Sequence, residues 1–238
     1  MKPSLEKLLQ SYGILLSSVD DWFARCRASS GKDIACVQGC SACCRGLFDI
    51  TLLDAFYMKE GFDLLPAGVR RPALLQAEKK LKELSFIWKD YAPPYILNYR
   101  PEEEWDALMP DDDQTPCPLL GNNGVCLVYE NRPMTCRLHG IPLVDVSGEI
   151  FHDEWCTLNF PMEDPLVKKE LRWGFKECFQ DELTIFQVFT EALLDRKIRE
   201  LDTFIATALL VDYRAFDWKA WWSENGERIT AAGSRENR

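Results

Sequence analysis

Histidine is scarce in this chain, with 2 among 238 residues, and positive charge is outweighed, 28 Lys and Arg against 38 Asp and Glu. The formal charge of -10 argues against the basic face that a phosphate backbone requires, so nucleic acid is not an expected partner. The short pairs Arg70-Arg71 and Lys79-Lys80 read as solvated helix residues. No apolar run reaches the length of a membrane span, so no membrane is expected as a partner. The start, Met1-Lys2-Pro3-Ser4-Leu5-Glu6-Lys7, lacks a signal peptide's continuous apolar stretch, and the expected compartment is the cytoplasm. There is no internal repeat and no glycine-rich phosphate loop. Asp111-Asp112-Asp113 lacks the calcium-loop pattern and reads as a solvated acidic turn.

What is present suits a single domain over residues 1–238, because a hydrophobic content of 47% is enough for a real core. The expected fold is mainly α: a helical domain with an irregular, cysteine-rich metal-binding centre at 36–160 and one small β-hairpin. Residues 4–27 carry apolar side chains at three- and four-residue steps, from Leu5 to Cys26, with Ser4 as N-cap. Phe48-Asp49-Ile50 reads as a short extended piece. Thr51-Leu-Leu-Asp54 resembles a capping box opening a helix that should stop at Gly61. A further helix is expected from Pro66 to about Tyr91, with Leu74, Leu75, Leu81, Leu84, Ile87 and Trp88 as its apolar face.

From Ala92 the helical period fades and prolines crowd in. Leu143–Phe151 reads as a hairpin turning at Ser147-Gly148. Helices are expected again over 165–226, beginning at Pro165 with Asp164 as cap, and including Leu183–Leu194 and Ile198–Tyr213. Trp218, Trp221 and Trp222 are expected to close on the core, or else to form a partner surface. The polar tail from Gly226 is expected to fray.

Against this background the ten cysteines stand out by their clustering. Cys36-Val-Gln-Gly-Cys40-Ser-Ala-Cys43-Cys44 packs four thiols into one short stretch. Metal binding, disulfides and simple packing are the three readings. A reducing compartment disfavours structural disulfides, and the side chains of adjacent residues such as Cys43 and Cys44 generally point apart. Metal is therefore the preferred reading. Gly39 allows the tight turn that brings thiolates together. Four more cysteines, Cys117, Cys126, Cys136 and Cys156, follow in the proline-rich middle. Gly121-Asn-Asn-Gly124 offers left-handed turn positions, and Pro118 and Pro133 stiffen the chain beside Cys117 and Cys136. Cys26 and Cys178 lie on apolar helical stripes and read as core.

Three pieces together, Cys40-Ser-Ala-Cys43-Cys44, then Cys117-Pro118, then Cys126-Leu-Val-Tyr129-Glu130-Asn-Arg132-Pro133-Met-Thr-Cys136-Arg137, resemble the YkgJ-like zinc- or iron-chelating cysteine-cluster family. Cys36 departs from the family spacing, with three residues before Cys40 where the pattern has two. The resemblance implies metal binding and does not by itself name a reaction.

The expected metal residues are Cys36, Cys40, Cys43, Cys44, Cys117, Cys126, Cys136 and Cys156. The expected cofactor is an iron–sulfur cluster or iron, with zinc as the alternative, since soft thiolates suit all of these. Arg132 and Arg137 are candidate cofactor-binding residues, through hydrogen bonds to thiolates or sulfides or through a substrate carboxylate. His139 and His152 are candidate ligands or proton carriers, or else plain surface imidazoles. Two function classes remain open: a redox or group-transfer enzyme with a small-molecule substrate, and a metal carrier or structural zinc site in a helical protein that binds a protein partner.

Overall fold

Ser4 opens the first helix by accepting a hydrogen bond from the Lys7 amide, and Gly31, at φ 56°, closes it. Helix α1 (Leu5–Ser30) buries Leu8, Leu9, Tyr12, Leu16, Val19, Trp22 and Cys26, the stripe expected of an amphipathic helix. In the computed structural model, residues 3–110 and 112–233 are described; Asp111, part of the expected acidic turn, and the last five residues of the tail lie outside them. Eight helices and two small two-stranded antiparallel sheets make up the described residues, so the fold is mainly α with small hairpins. Among these residues no helix is long and apolar enough to cross a membrane.

Strand β1 (Asp49–Thr51) leads directly into α2 (Leu52–Asp63). Thr51 Oγ1 accepts from the Asp54 amide at 3.0 Å, the expected cap. The helix runs through Gly61 instead of stopping there. A Cβ at Gly61 would stand 2.5 Å from the Asn131 side-chain oxygen, so this glycine admits a neighbouring loop and does not end the helix. Helix α3 (Ala67–Ile87) forms, ending before the expected Tyr91, and much of the expected face is inward. Ala73, Ala77 and Leu84 are buried, whereas Leu75 and Ile87 are each 56% exposed. Of the expected face, Leu84 and Trp88 are buried and Leu74 and Leu81 pack against the core, so only Leu75 and Ile87 depart from it. A short helix, α4 (Glu102–Asp106), follows, and α5 (Met134–Leu138) lies within the cysteine-rich segment.

The expected hairpin is present, with β2 (Leu143–Val144) antiparallel to β3 (Ile150–His152) and Gly148 at φ 94° in the turn. At Pro165 the chain makes two 3-10 turns, Pro165–Val167 and Lys169–Leu171, before α6 (Phe175–Leu194) begins. Asp164 does cap the first turn, accepting from the Leu166 amide at 2.9 Å.

The helix expected over Ile198–Tyr213 is replaced by β4 (Asp202–Phe204) and the single turn α7 (Ile205–Ala208). Strand β4 is held from both sides. It pairs with β1 in the register Asp49↔Phe204 and Thr51↔Asp202, and Asp202 exchanges 2.6–2.9 Å hydrogen bonds with Asn98. Those partners lie far away in sequence, and they override the local apolar period. Helix α8 (Trp218–Gly233) also corrects the expected frayed tail, since Gly226 sits inside it with the Trp222 ring 2.6 Å from where a Cβ would be. Trp218 and Trp221 are buried against Tyr213, Phe216 and Phe56, so these tryptophans do close the core.

Candidate metal centre

The cysteine segment is built from two consecutive turns. The Cys40 amide donates to the Val37 carbonyl (2.9 Å) and the Cys44 amide to the Ser41 carbonyl (3.1 Å). Gly39 takes φ 94°, a conformation that side-chain-bearing residues rarely adopt, so the first turn depends on it. Directly after the second turn, Arg45 and Pro116 form an antiparallel bridge. The Cys117 amide donates to the Cys44 carbonyl at 2.9 Å, and the Gly46 amide to the Thr115 carbonyl at 2.7 Å. The two cysteine groups are therefore joined by backbone hydrogen bonds.

Between Cys117 and Cys126 the chain folds on itself, with Leu120 bridged to Cys126 and Gly121 bonded to Val125. Of the four residues at this tip only Gly124 has a positive φ, 78°, and its Cβ position is 3.2 Å from the Gly39 carbonyl oxygen. The two glycine turns thus touch, and a side chain at Gly124 would press on the Gly39 carbonyl, whereas Gly39 is required for its positive φ alone. Cys136 is carried by α5, which starts after Pro133.

Six cysteines, Cys40, Cys43, Cys44, Cys117, Cys126 and Cys136, line one cavity of about 90 Å³ together with Arg132 and His139. Cys36 lines an adjoining cavity of about 100 Å³, which also borders Cys40, Cys43 and Cys136. Cys156 lines neither. It stands beside Cys36 at a corner organised by Asn159, whose side-chain nitrogen donates to the Gly140 carbonyl (2.6 Å) and the Cys36 thiol (3.3 Å). A Cβ on Gly140, at φ 107°, would lie 3.1 Å from that thiol. All ten cysteines are free, and Cys26 and Cys178 are buried in the core.

Burial pushes most of these thiols up. Cys117 is raised to about 12, chiefly by burial, with the charges of Cys126 and Cys43 adding. Cys136 rises well above its ordinary value through burial and the neighbouring Cys117, Cys126, Asp54 and Cys43. Cys43 is raised first by its hydrogen bond with Cys44 and then by burial. Burial also raises Cys126, against which the Val128 amide and the charges of Arg132 and Arg137 act. Crowded sulfurs that repel one another as thiolates are a donor set a cation stabilises.

Among the described residues no three His, Cys, Asp or Glu side chains are already clenched on a common point. The thiols surround a space instead. Soft donors around a small cavity fit a group larger than one bare ion, or metals that draw the side chains inward.

The arginines divide their work. Arg137 is 4% exposed and every branch of its guanidinium is engaged. Nη1 donates to Asp20 on α1, Nε to the Arg132 carbonyl (3.0 Å) and Nη2 to the Glu130 carbonyl (2.7 Å). Arg132 Nη2 donates to the other Asp20 oxygen at 3.0 Å, and its guanidinium lies 4.3 Å from the Tyr129 ring centre. Arg132 Nε is buried without a partner, and this side chain borders both cavities.

Asp54, buried at the start of α2, accepts from the Met134 amide (2.9 Å) and from Tyr12 (2.8 Å), fixing the start of α5. His139 closes α5, stands edge-on to Phe48 and is held below its ordinary value by burial, then by the charge of His152. His152 lies on exposed β3. Asp20, Asp54 and Asn159 were not anticipated as parts of the site. Asp54 alone had a local signal, its place in the capping box.

Residues 35–157 match the model of a family named CxxCxxCC and described as a "Putative zinc- or iron-chelating domain". The chain belongs to this family. The CxxCxxCC domain begins one residue before Cys36 and ends one residue after Cys156, so it takes in the eight clustered cysteines and leaves out Cys26 and Cys178. Chelation of zinc or iron by cysteines is what membership implies. No curated protein and no solved structure matches the chain.

Proposed function

We propose that Cys40, Cys43, Cys44, Cys117, Cys126 and Cys136 hold iron, at least in part as an iron–sulfur cluster, and that the protein is a YkgJ-like redox or group-transfer enzyme. The observation that carries this reading is the shared cavity of six thiols. Common structural zinc sites use four ligands closed on one ion, whereas this donor set is larger and encloses a space. The second cavity, opening beside the first, supplies room for a substrate, which a purely structural or carrier site has no need of.

Such a group would supply electrons or an open coordination position. Within this reading the chain's own residues have distinct tasks. Arg132, with one unpartnered nitrogen, offsets negative charge on the sulfurs. Arg137 holds the loop that presents Cys136. His139, neutral at neutral pH because burial lowers it, is able to accept a proton or complete a ligand set. Cys36 and Cys156 act as an adjoining pair, supporting the site or taking a second metal. The free cysteines fit a reducing compartment such as the cytoplasm. A large hydrophobic core drawing on α1, α2, α6 and α8, beside a smaller cluster around Leu84, Trp88 and Phe204, supports reading the chain as a single domain.

Anaerobic purification followed by metal and sulfide analysis tests the proposal. The expected preparation is brown, with acid-labile sulfide and broad visible absorption. A colourless protein containing zinc alone would overturn the iron–sulfur reading. Cys40→Ser and Cys136→Ser should each lower metal content, and unchanged content in both would exclude the shared site.

A further inference from the structure

The cavity of about 100 Å³ beside the cysteines has an unusual wall for a chain of charge -10. Arg27, Arg132, Arg137 and His139 line it, and no acidic side chain among the described residues does. Asp20 pairs with Arg132 and Arg137 but does not border the space. Arg27, in the last turn of α1, is exposed and has no ion pair or side-chain hydrogen bond. Arg132 also borders the cavity, and its Nε is buried and unpartnered. An unsatisfied guanidinium nitrogen is costly to bury, and the planar fork of arginine suits a carboxylate or phosphate. Phe23 and Val37 add an apolar wall that inorganic phosphate would not use. The volume equals about three waters at roughly 30 Å³ each, enough for a carboxylate head with a short tail.

We propose that this cavity binds a small organic acid, its carboxylate held by Arg27 and Arg132 and its apolar part lying against Phe23 and Val37. The proposal rests on the metal reading for its purpose, since it names the substrate class of that site, but its contacts belong to the arginines and not to the metal.

The test is calorimetric titration of the anaerobically purified full chain with butyrate, n-butylamine and inorganic phosphate, with metal and sulfide measured on each preparation. Butyrate should bind saturably and more tightly than phosphate, and n-butylamine should not bind. Arg27→Gln should weaken butyrate at least tenfold, and Arg27→Lys should restore part of the loss. Failure of the wild-type protein to bind butyrate would overturn the proposal. So would equal binding of phosphate or n-butylamine, or Arg27→Gln binding within twofold of wild type. If Arg27→Gln loses metal while butyrate affinity holds, the arginine only compensates sulfur charge and the proposal also falls. A preparation without metal that still binds butyrate through Arg27 would leave this inference standing and remove the metal reading. Metal-loaded protein that ignores butyrate would do the reverse.

Discussion

Asp20→Asn is the most telling single change, because one exposed-looking residue on α1 carries both arginines of the cysteine loop. Its two oxygens accept from Arg132 and from Arg137, which lie 112 and 117 residues further along the chain. Asparagine keeps the shape but removes the charge, and its amide can present only one oxygen. Arg137, 4% exposed, would then retain two carbonyl acceptors and no counter-charge. Breaking a fully buried pair typically costs about 3–5 kcal/mol. An exposed pair is worth about 0–1 kcal/mol. Asp20 is 39% exposed while its partner is buried, which places the expected loss between these limits, near 2 kcal/mol. For a chain of this length that lowers Tm by about 4–8 °C. Metal affinity should fall by about 10–100-fold as well, since Arg137 orients the loop bearing Cys136. Urea melts of the metal-free proteins give the first quantity, and chelator competition gives the second. A variant within about 0.5 kcal/mol of wild type, with metal affinity intact, would refute the reasoning.

Three further outcomes follow from the same geometry. Burial, then the charge of Asp54, raises Glu182 from 4.5 to about 8, against a hydrogen bond from Tyr12. A raised folded value means its contribution is fully present below pH 4.5 and is lost as pH rises towards 8, so Glu182→Gln should be more stable than wild type at pH 8 by ~2–4 kcal/mol and similar at pH 4. Denaturation at the two pH values checks this. Metal loading must strip protons from thiols such as Cys117, raised to about 12, so chelator competition should show affinity climbing steeply from pH 6 to 8, with proton release in weakly buffered solution. Gly61→Ala would press a Cβ to within 2.5–2.8 Å of Asn131, and thermal melts should show a loss of about 1–3 kcal/mol, since the loop leading to Arg132 must shift.

Legibility followed the range of the interactions. Helix α1 could be read because its cap, stripe and closing glycine all lie within its own residues. The turn at Gly39 and the hairpin at Gly148 were legible for the same reason, as each is set by a local backbone requirement. The stretch 198–213 misled because its apolar spacing suits a helix, while Asn98 and Asp49–Thr51, far away in sequence, hold it as a strand. In the site, the cysteine motifs announced themselves, yet their supports did not. Asp20 is one acid among many on a helix surface, and Asn159 meets Cys36 across 123 residues without any motif. Arg132 and Arg137 looked equivalent on paper. Both reach Asp20 on α1, and only the folded loop distinguishes them, since the Arg132 and Glu130 carbonyls engage the rest of Arg137 while Arg132 Nε has no partner.

How the two cysteine groups are joined also decides what a metal has left to do. If the metal alone brought them together, the segments would have no other reason to meet, and metal binding would be folding, as in small zinc domains. Here Cys44 and Cys117 are already tied by a 2.9 Å backbone hydrogen bond, the turns at Gly39 and Gly124 touch, and Asp54 anchors the start of α5 through the Met134 amide. Those contacts are made by the protein's own backbone and side chains, so far-UV circular dichroism and a cooperative melt should survive chelation, and loss of both would refute this division of labour. The ordering of the 72 residues between Cys44 and Cys117 is therefore shared with α2, α3 and the core they enter. What remains for the metal is to relieve the crowding of thiols around a small cavity. Binding energy not consumed in folding is retained as affinity, and a preorganised site of this kind can release or exchange a ligand without the chain unfolding around it.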